Sequence, residues 1–70
     1  MEIFAERLKD LRQGMKLSQK DLAVKTSLTQ SAISKWELGT RQIGIDALRI
    51  LARFFKVSAD YLIGLKDTEN

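Results

Sequence analysis

The stretch that decides the fold, residues 18–39, reads SQKDLAVKTSLTQSAISKWELG. Ser18 is a favourable helix N-cap, and Asp21 follows three residues later, where the acid of a capping box belongs. Thr29 is a second N-cap candidate, and Gly39 is the residue type that most often ends a helix. The stretch therefore predicts two short helices that are joined by a tight turn.

The rest of the chain is also predicted to be helical. Proline is absent, and apolar residues recur at helical spacing, as Phe4, Leu8 and Leu11 do in a first helix. We predict an all-α fold with five helices, over about residues 2–14, 18–25, 30–38 and 45–56 and in a short last segment that Ser58 caps and Gly64 ends. Residues 1–65 would form one domain, and residues 66–70 would be a frayed tail.

The composition excludes several classes of catalytic and metal site. The chain has 70 residues with no Cys and no His. It therefore has no disulfide, no thiol nucleophile, no histidine general base and no Ser-His-Asp triad, and zinc sites depend largely on the same two residue types. We predict that the protein is not an enzyme and that it has no metal and no cofactor. No small-molecule pocket is expected in so short a chain.

No segment of the chain approaches the roughly 20 consecutive apolar residues that cross a bilayer. The N-terminal residues 1–4 lack the basic and apolar blocks of a signal peptide. The expected location is the cytoplasm, without a membrane partner.

The positive charge of the chain is concentrated in its middle. The net charge is +3, but residues 12–56 contain nine basic and three acidic residues, which gives that segment a net charge of +6. A basic centre points to a polyanionic partner. An ordinary solvated helical surface would have the same charge, so the charge alone leaves both interpretations open.

The second helix of the opening stretch has two different sides on a wheel of about 100° per residue. Ala32, Ile33 and Trp36 form an apolar side, which would attach the helix to the core. The opposite side is polar and contains no acid; its residues are Gln30, Ser31, Ser34 and Lys35. Gln can bond adenine, Lys can bond guanine and Ser can bond either, so this side suits the edges of DNA bases. The alternative is an ordinary exposed surface.

Three spaced elements of the chain resemble the Cro and phage-repressor family of helix-turn-helix proteins, also called the XRE family. They are LSQKDLA at residues 17–23, TQSAISKWELG at residues 29–39, and the pattern of Leu51, Ala52, Phe55, Val57, Ser58 and Asp60–Leu62. The resemblance extends over residues 4–64, nearly the whole chain. It implies the family's five-helix fold, with the helix-turn-helix at helices two and three.

The resemblance also implies roles for single residues. Gln30, Ser31 and Lys35 match base-contacting positions, and Arg12 and Glu37 match an ion pair that joins helix one to helix three. The positions expected at DNA phosphates are Gln19, Thr29, Thr40 and Arg41, to which the residue types add Lys20 and Arg12. The chain departs from the glutamine-rich phage repressors at Ser31 and Lys35, so the operators of those repressors are a poor guide to its own.

Helix four has two apolar sides. The core side is expected to consist of Ile45, Leu48, Leu51, Ala52 and Phe55. A second strip, called here the dimer strip, consists of Ala47, Ile50 and Phe54, with Leu62, Ile63 and Leu65 as extensions. Either helix one or helix five covers this strip, or the strip forms a homodimer contact, as exposed apolar patches often do. Members of the resembled family often dimerise through this end, which favours the dimer.

The combined prediction is a sequence-specific transcriptional regulator, and more specifically a repressor, from a bacterium or its phage. Two copies would bind a palindromic operator in double-stranded DNA, each with a recognition helix in the major groove. The rival interpretation is an antitoxin-like or adaptor module that has the same fold and acts through a protein partner.

Overall fold

The computed structural model describes residues 2–69, and within them it has five helices and no strand. The helices are α1 (Glu2–Gly14), α2 (Gln19–Thr26), α3 (Gln30–Leu38), α4 (Ile45–Phe55) and α5 (Ala59–Leu62). The predicted all-α fold is confirmed. Met1 and Asn70, which belong to the predicted domain and tail, lie outside the described residues.

Three helices begin with a side-chain cap where the sequence predicts one. Ser18 Oγ accepts a hydrogen bond from the Asp21 N–H at 2.9 Å, and Asp21 Oδ2 accepts one from the Ser18 N–H at 3.1 Å, which completes a capping box. At the start of α3, Thr29 Oγ1 accepts a hydrogen bond from the Ala32 N–H. At the start of α5, Ser58 Oγ accepts one from the Tyr61 N–H. Each bond satisfies a backbone N–H that has no partner within its own helix.

The turn between α2 and α3 depends on a left-handed residue. Ser27, the C-cap of α2, has φ of 60°, and Gly39 after α3 has φ of 76°. Glycine adopts this conformation at little cost, whereas serine does not. Lys56, the C-cap of α4, is left-handed too, which ends α4 at Phe55, one residue earlier than predicted.

One apolar core joins all five helices. Its most deeply buried large side chains are Phe4, Leu8, Leu22, Ile33, Leu51 and Leu62, so every helix contributes at least one. Trp36 lies edge-to-face against Phe4, with ring centroids 6.4 Å apart. The prediction that Ile45 faces the core is wrong, because 73% of this residue is exposed. Ile45 is the first residue of α4, and the core begins one turn later at Leu48.

Arg7 connects α1 to α5 and to the segment that follows it. Its guanidinium lies over the Tyr61 ring, 4.1 Å from the centroid, and donates to the carbonyls of Tyr61 and Lys66. The Ser58 N–H donates to the Glu69 carbonyl at 2.7 Å. The described part of the tail therefore has hydrogen bonds to the helices, while its predicted fraying stays a prediction.

Over residues 2–69, no helix is both long enough and apolar enough to cross a membrane. The same residues contain no cluster of acidic side chains suited to holding a metal ion.

Candidate nucleic-acid interface

The two sides of α3 differ in burial as the helical wheel predicts. Ala32, Ile33 and Trp36 are buried. On the opposite side, Gln30, Ser31 and Lys35 are exposed and Ser34 is half-buried. The side chains of the three exposed residues have no hydrogen bond or ion pair with the rest of the described chain. Their amide, hydroxyl and ammonium groups are therefore free to bond an external partner.

Leu38 is an exposed apolar residue on this same side of α3. On the wheel it lies between Ser34 and Ser31, and 72% of its surface is exposed. The sequence interpretation assigned no role to Leu38, because it considered only the polar residues of this side. An apolar side chain at such a place can contact the methyl group of thymine.

The one acidic residue of α3, Glu37, is turned away from the exposed side. Arg12 Nε donates to Glu37 Oε2 at 2.7 Å and Arg12 Nη2 donates to Glu37 Oε1 at 2.9 Å, so the pair is bidentate. The Arg12 and Glu37 side chains are only 12% and 5% exposed. Hydrogen bonding to Glu37 raises the pKa of Arg12, although burial opposes that shift. The exposed side of α3 thus has a cation and no acid.

Two residues predicted to contact phosphates, Arg12 and Gln19, have hydrogen bonds within this ion-pair cluster. Arg12 Nη1 donates to the Leu17 carbonyl at 2.8 Å, so each guanidinium nitrogen of Arg12 bonds within the protein. The Gln19 amide donates to Glu37 Oε1 at 3.1 Å. These bonds use three of the five N–H donors of the Arg12 guanidinium, and its phosphate contact stays a prediction. The bond to Glu37 fixes the Gln19 amide at the start of α2.

Among the remaining residues predicted to contact phosphates, some have hydrogen-bond donors available and one has its donors bonded within the protein. Lys20, Thr29 and Arg41 are exposed, and the Thr29 hydroxyl accepts from the Ala32 N–H but keeps its own proton to donate. Thr40 is different, because its hydroxyl and its N–H both donate to the Lys35 carbonyl, at 3.3 and 3.0 Å. Thr40 therefore helps to end α3, which argues against a phosphate contact by its donors.

The dimer strip is partly open. Ile50 is 40% exposed and Leu65 is exposed, whereas Ala47, Phe54 and Ile63 are half-buried and pack against the core. The prediction that Leu62 extends the strip is wrong, because Leu62 is fully buried in the core. Phe54 also lies edge-to-face on Phe55, with ring centroids 5.0 Å apart. The strip thus presents its exposed apolar surface mainly through Ile50 and Leu65.

The sequence pattern of the helix-turn-helix family matches residues 8–62 of the chain. The HTH-type transcriptional activator BcrR of Enterococcus faecalis is 37% identical over 73 aligned positions, which cover 96% of this chain and 36% of BcrR. The uncharacterized HTH-type transcriptional regulator YobD of Bacillus subtilis (strain 168) is 37% identical over 65 positions, which cover 93% of this chain and 58% of YobD. The chain therefore spans between 36% and 58% of the length of these two relatives.

A solved structure has the same fold. The crystal structure of the restriction-modification controller protein C.AhdI from Aeromonas hydrophila matches with a TM-score of 0.78 and 30% sequence identity, over 87% of this chain and 92% of that one. These similar proteins are named as transcriptional regulators or a controller protein, and none of the three is named as an enzyme.

Proposed function

The chain belongs to the helix-turn-helix family of DNA-binding regulators, and we propose that it binds a palindromic operator in double-stranded DNA as a homodimer and thereby represses transcription. The observation that carries the proposal is the exposed side of α3. It combines free hydrogen-bonding side chains with one cation, while the only acid of the helix, Glu37, is buried against Arg12.

In this proposal α3 enters the major groove, and Gln30, Ser31, Ser34 and Lys35 contact base edges. Gln30 bonds adenine and Lys35 bonds guanine, and each such pair is worth about 1–3 kcal/mol of discrimination. Lys20, Thr29 and Arg41 contact phosphates on either side and fix the orientation of the domain. Gln19, held by Glu37, presents the start of α2 to the backbone of the same DNA.

The homodimer contact in this proposal is the dimer strip. Its exposed residues Ile50 and Leu65 would be covered by a second copy, which removes apolar surface from water. Two copies place their recognition helices in successive major grooves about 34 Å apart. Repression follows if the operator overlaps a promoter, because occupancy alone blocks polymerase. The relative BcrR is named an activator, and the same DNA contacts would serve activation from an operator placed elsewhere.

The decisive experiment is selection of bound sequences from a random pool of duplex DNA. We expect the wild type to enrich a two-fold symmetric site and the Gln30→Ala/Lys35→Ala double variant to lose that preference. Lys9→Ala is the charge-matched control, because Lys9 is exposed on α1, and it should select the wild-type site.

Two results would contradict the proposal. Enrichment of the same site by the double variant would mean that α3 does not make the base contacts. Failure of the wild type to enrich any site, together with tight binding to a protein partner, would favour the adaptor interpretation. A reporter promoter carrying the selected site then tests the direction of regulation, and we expect lower transcription.

A further inference from the structure

Leu38 is an apolar residue in the middle of the polar side of α3. On a wheel of about 100° per residue it lies between Ser34 and Ser31, so polar residues flank it on both edges. With 72% of its surface in water, it contributes little to the core. A single exposed leucine is ordinary on a protein surface, but each of the other side chains on this side of α3 has a hydrogen-bonding group. The position of Leu38, rather than its exposure alone, indicates a role in DNA contact.

The end of α3 fixes the direction in which Leu38 points. The Gly39 N–H donates to the Trp36 carbonyl at 3.1 Å, and the Thr40 N–H and hydroxyl both donate to the Lys35 carbonyl. These bonds close the helix directly after Leu38, and Gly39 has the left-handed conformation, with φ of 76°, that such an ending requires. The backbone of Leu38 is thus ordered in the free protein, so a contact with DNA costs little further backbone entropy.

The chemistry around Leu38 favours an apolar group of DNA over a phosphate. Its side chain has no hydrogen-bond donor, and the C-terminus of a helix has a partial negative charge that repels phosphate. On the edges of base pairs in the major groove, the apolar group is the C5 methyl of thymine. A protein partner is disfavoured, because one leucine exposes on the order of 100 Å² and a stable protein interface buries about 800 Å² per partner.

We propose that Leu38 contacts a thymine methyl group and thereby determines one base pair of the operator. This inference rests on the proposed function, in which α3 lies in the major groove. Leu38 is three residues after Lys35 on the same side of α3, so their Cβ atoms are roughly 5–6 Å apart, which is less than two base-pair steps of about 3.4 Å. It lies about 12 Å beyond Gln30 along the helix. The thymine is therefore close to the guanine bonded by Lys35, on the side away from the adenine bonded by Gln30.

The test replaces each thymine of the selected operator by deoxyuridine, one position at a time. Deoxyuridine lacks only the C5 methyl and keeps the hydrogen-bonding groups of thymine, so a change in affinity reports the methyl contact. Binding to labelled duplexes is measured by fluorescence anisotropy at one fixed salt concentration. We expect the wild type to bind about fourfold more weakly when one thymine in either half-site is replaced, which is the loss expected for one buried methyl group. The base pair at which Lys35→Ala loses discrimination locates the neighbouring guanine.

Three variants assign the effect to the side chain of Leu38. Leu38→Ala shortens it and should bind the thymine and deoxyuridine duplexes equally. Leu38→Met keeps an apolar side chain of similar volume and should keep the difference between the duplexes. Val24→Ala is the matched control, because Val24 is 74% exposed on α2, and it should behave like the wild type. Thermal unfolding establishes that each variant folds, as expected for exposed positions.

Three results would overturn the proposal. No thymine beside the Lys35 contact could depend on its methyl group, the dependence could persist in Leu38→Ala, or Leu38→Ala could weaken both duplexes alike and keep their difference, which would indicate a contact with deoxyribose instead. Each of these leaves the proposed function intact, since the wild type still selects its operator. If the wild type selects no operator, or if the Gln30→Ala/Lys35→Ala double variant selects the same one, the proposed function fails and this inference fails with it.

Discussion

The exposed sides of α3 and α4 have different chemistry, although both helices bury their other side in the same core. On α3 the cation Lys35 stands among short polar side chains. At α4 the cations Arg49, Arg53 and Lys56 line a depression whose floor is apolar. Positive charge alone therefore does not identify a DNA-contacting surface. The neighbours of the charge decide whether base edges or an apolar partner fit it.

The two helices also differ in how they are attached. α3 has a side-chain cap from Thr29 and a buried ion pair through Glu37, whereas the N-cap of α4 is Gly44, which offers no side-chain hydrogen bond. The position of α3 therefore depends on polar bonds as well as on packing. Four predictions concern the attachment and the surfaces of α2, α3 and α4, and they are given from the largest expected effect to the smallest.

The largest effect is expected for Glu37→Ala, which leaves the buried Arg12 cation without its partner. We expect a loss of about 3 kcal/mol in the free energy of unfolding, measured by urea denaturation. Glu6→Ala, which removes an exposed acid of α1, is the control and should change little. A loss as small as that of a surface pair, about 1 kcal/mol or less, would mean that the ion pair does not hold α3 in place.

The next effect is a change of oligomeric state on substitution of Ile50, compared with substitution of Ile45 on the opposite side of α4. Ile50→Glu places a charge in the dimer strip and should convert a dimeric wild type into a monomer, as measured by light scattering. Ile50 is a better target than Phe54, which packs on Phe55. The matched control is Ile45→Glu, because Ile45 is exposed on the opposite side of α4, and this variant should keep the dimer. Loss of the dimer in both variants, or a wild type that stays monomeric on DNA, would contradict the assignment.

A smaller effect is expected at the left-handed C-caps of α2 and α4. Ser27→Gly and Lys56→Gly remove a strain of about 1–2 kcal/mol and add an entropic cost of about 0.5–1 kcal/mol, so each should stabilise the fold by about 0.5–1 kcal/mol. Thermal unfolding measures the gain. Gly39→Ala, at φ of 76°, should have the opposite sign. A destabilising Ser27→Gly would show that the serine side chain contributes to the turn.

The smallest effect is a pH dependence from the capping box of α2. Hydrogen bonds from the backbone of Ser18, and then from its side chain, lower the pKa of Asp21 below its ordinary value of 3.8. A lowered pKa in the folded state means that the carboxylate adds stability above pH 3.8 and that this stability is lost as the pH falls through the folded-state pKa. Asp21→Asn should flatten this part of the stability profile. A profile of the variant that falls as steeply as that of the wild type would contradict this.

Much of the fold was predictable because its signals are local. Ser18, Thr29 and Ser58 lie directly before apolar runs, and each acts as the cap that the sequence predicts. The division of α3 into a buried and an exposed side needed only the helical period. Leu38 was predictable on the same wheel, where its position and not its residue type was informative.

Some features were not predictable because no sequence pattern specifies the contacts on which they depend. Arg7 and Tyr61 meet across 54 positions, and no local pattern connects them. The bonds that occupy Thr40 depend on how α3 ends. The exposure of Ile45 depends on where α4 begins to touch the core, because periodicity gives the direction of a side chain but not the neighbour that covers it.

The central claim, that α3 contacts bases while the loop after it contacts phosphates, is tested most directly by comparing Lys35→Ala with Arg41→Ala. Binding to the selected operator and to its single-base variants is measured over a range of salt. We predict that Lys35→Ala loses about 1–3 kcal/mol of discrimination at one base pair, and that Arg41→Ala weakens all sequences equally and lowers the salt slope by about one. Equal weakening of every sequence by Lys35→Ala would contradict the account.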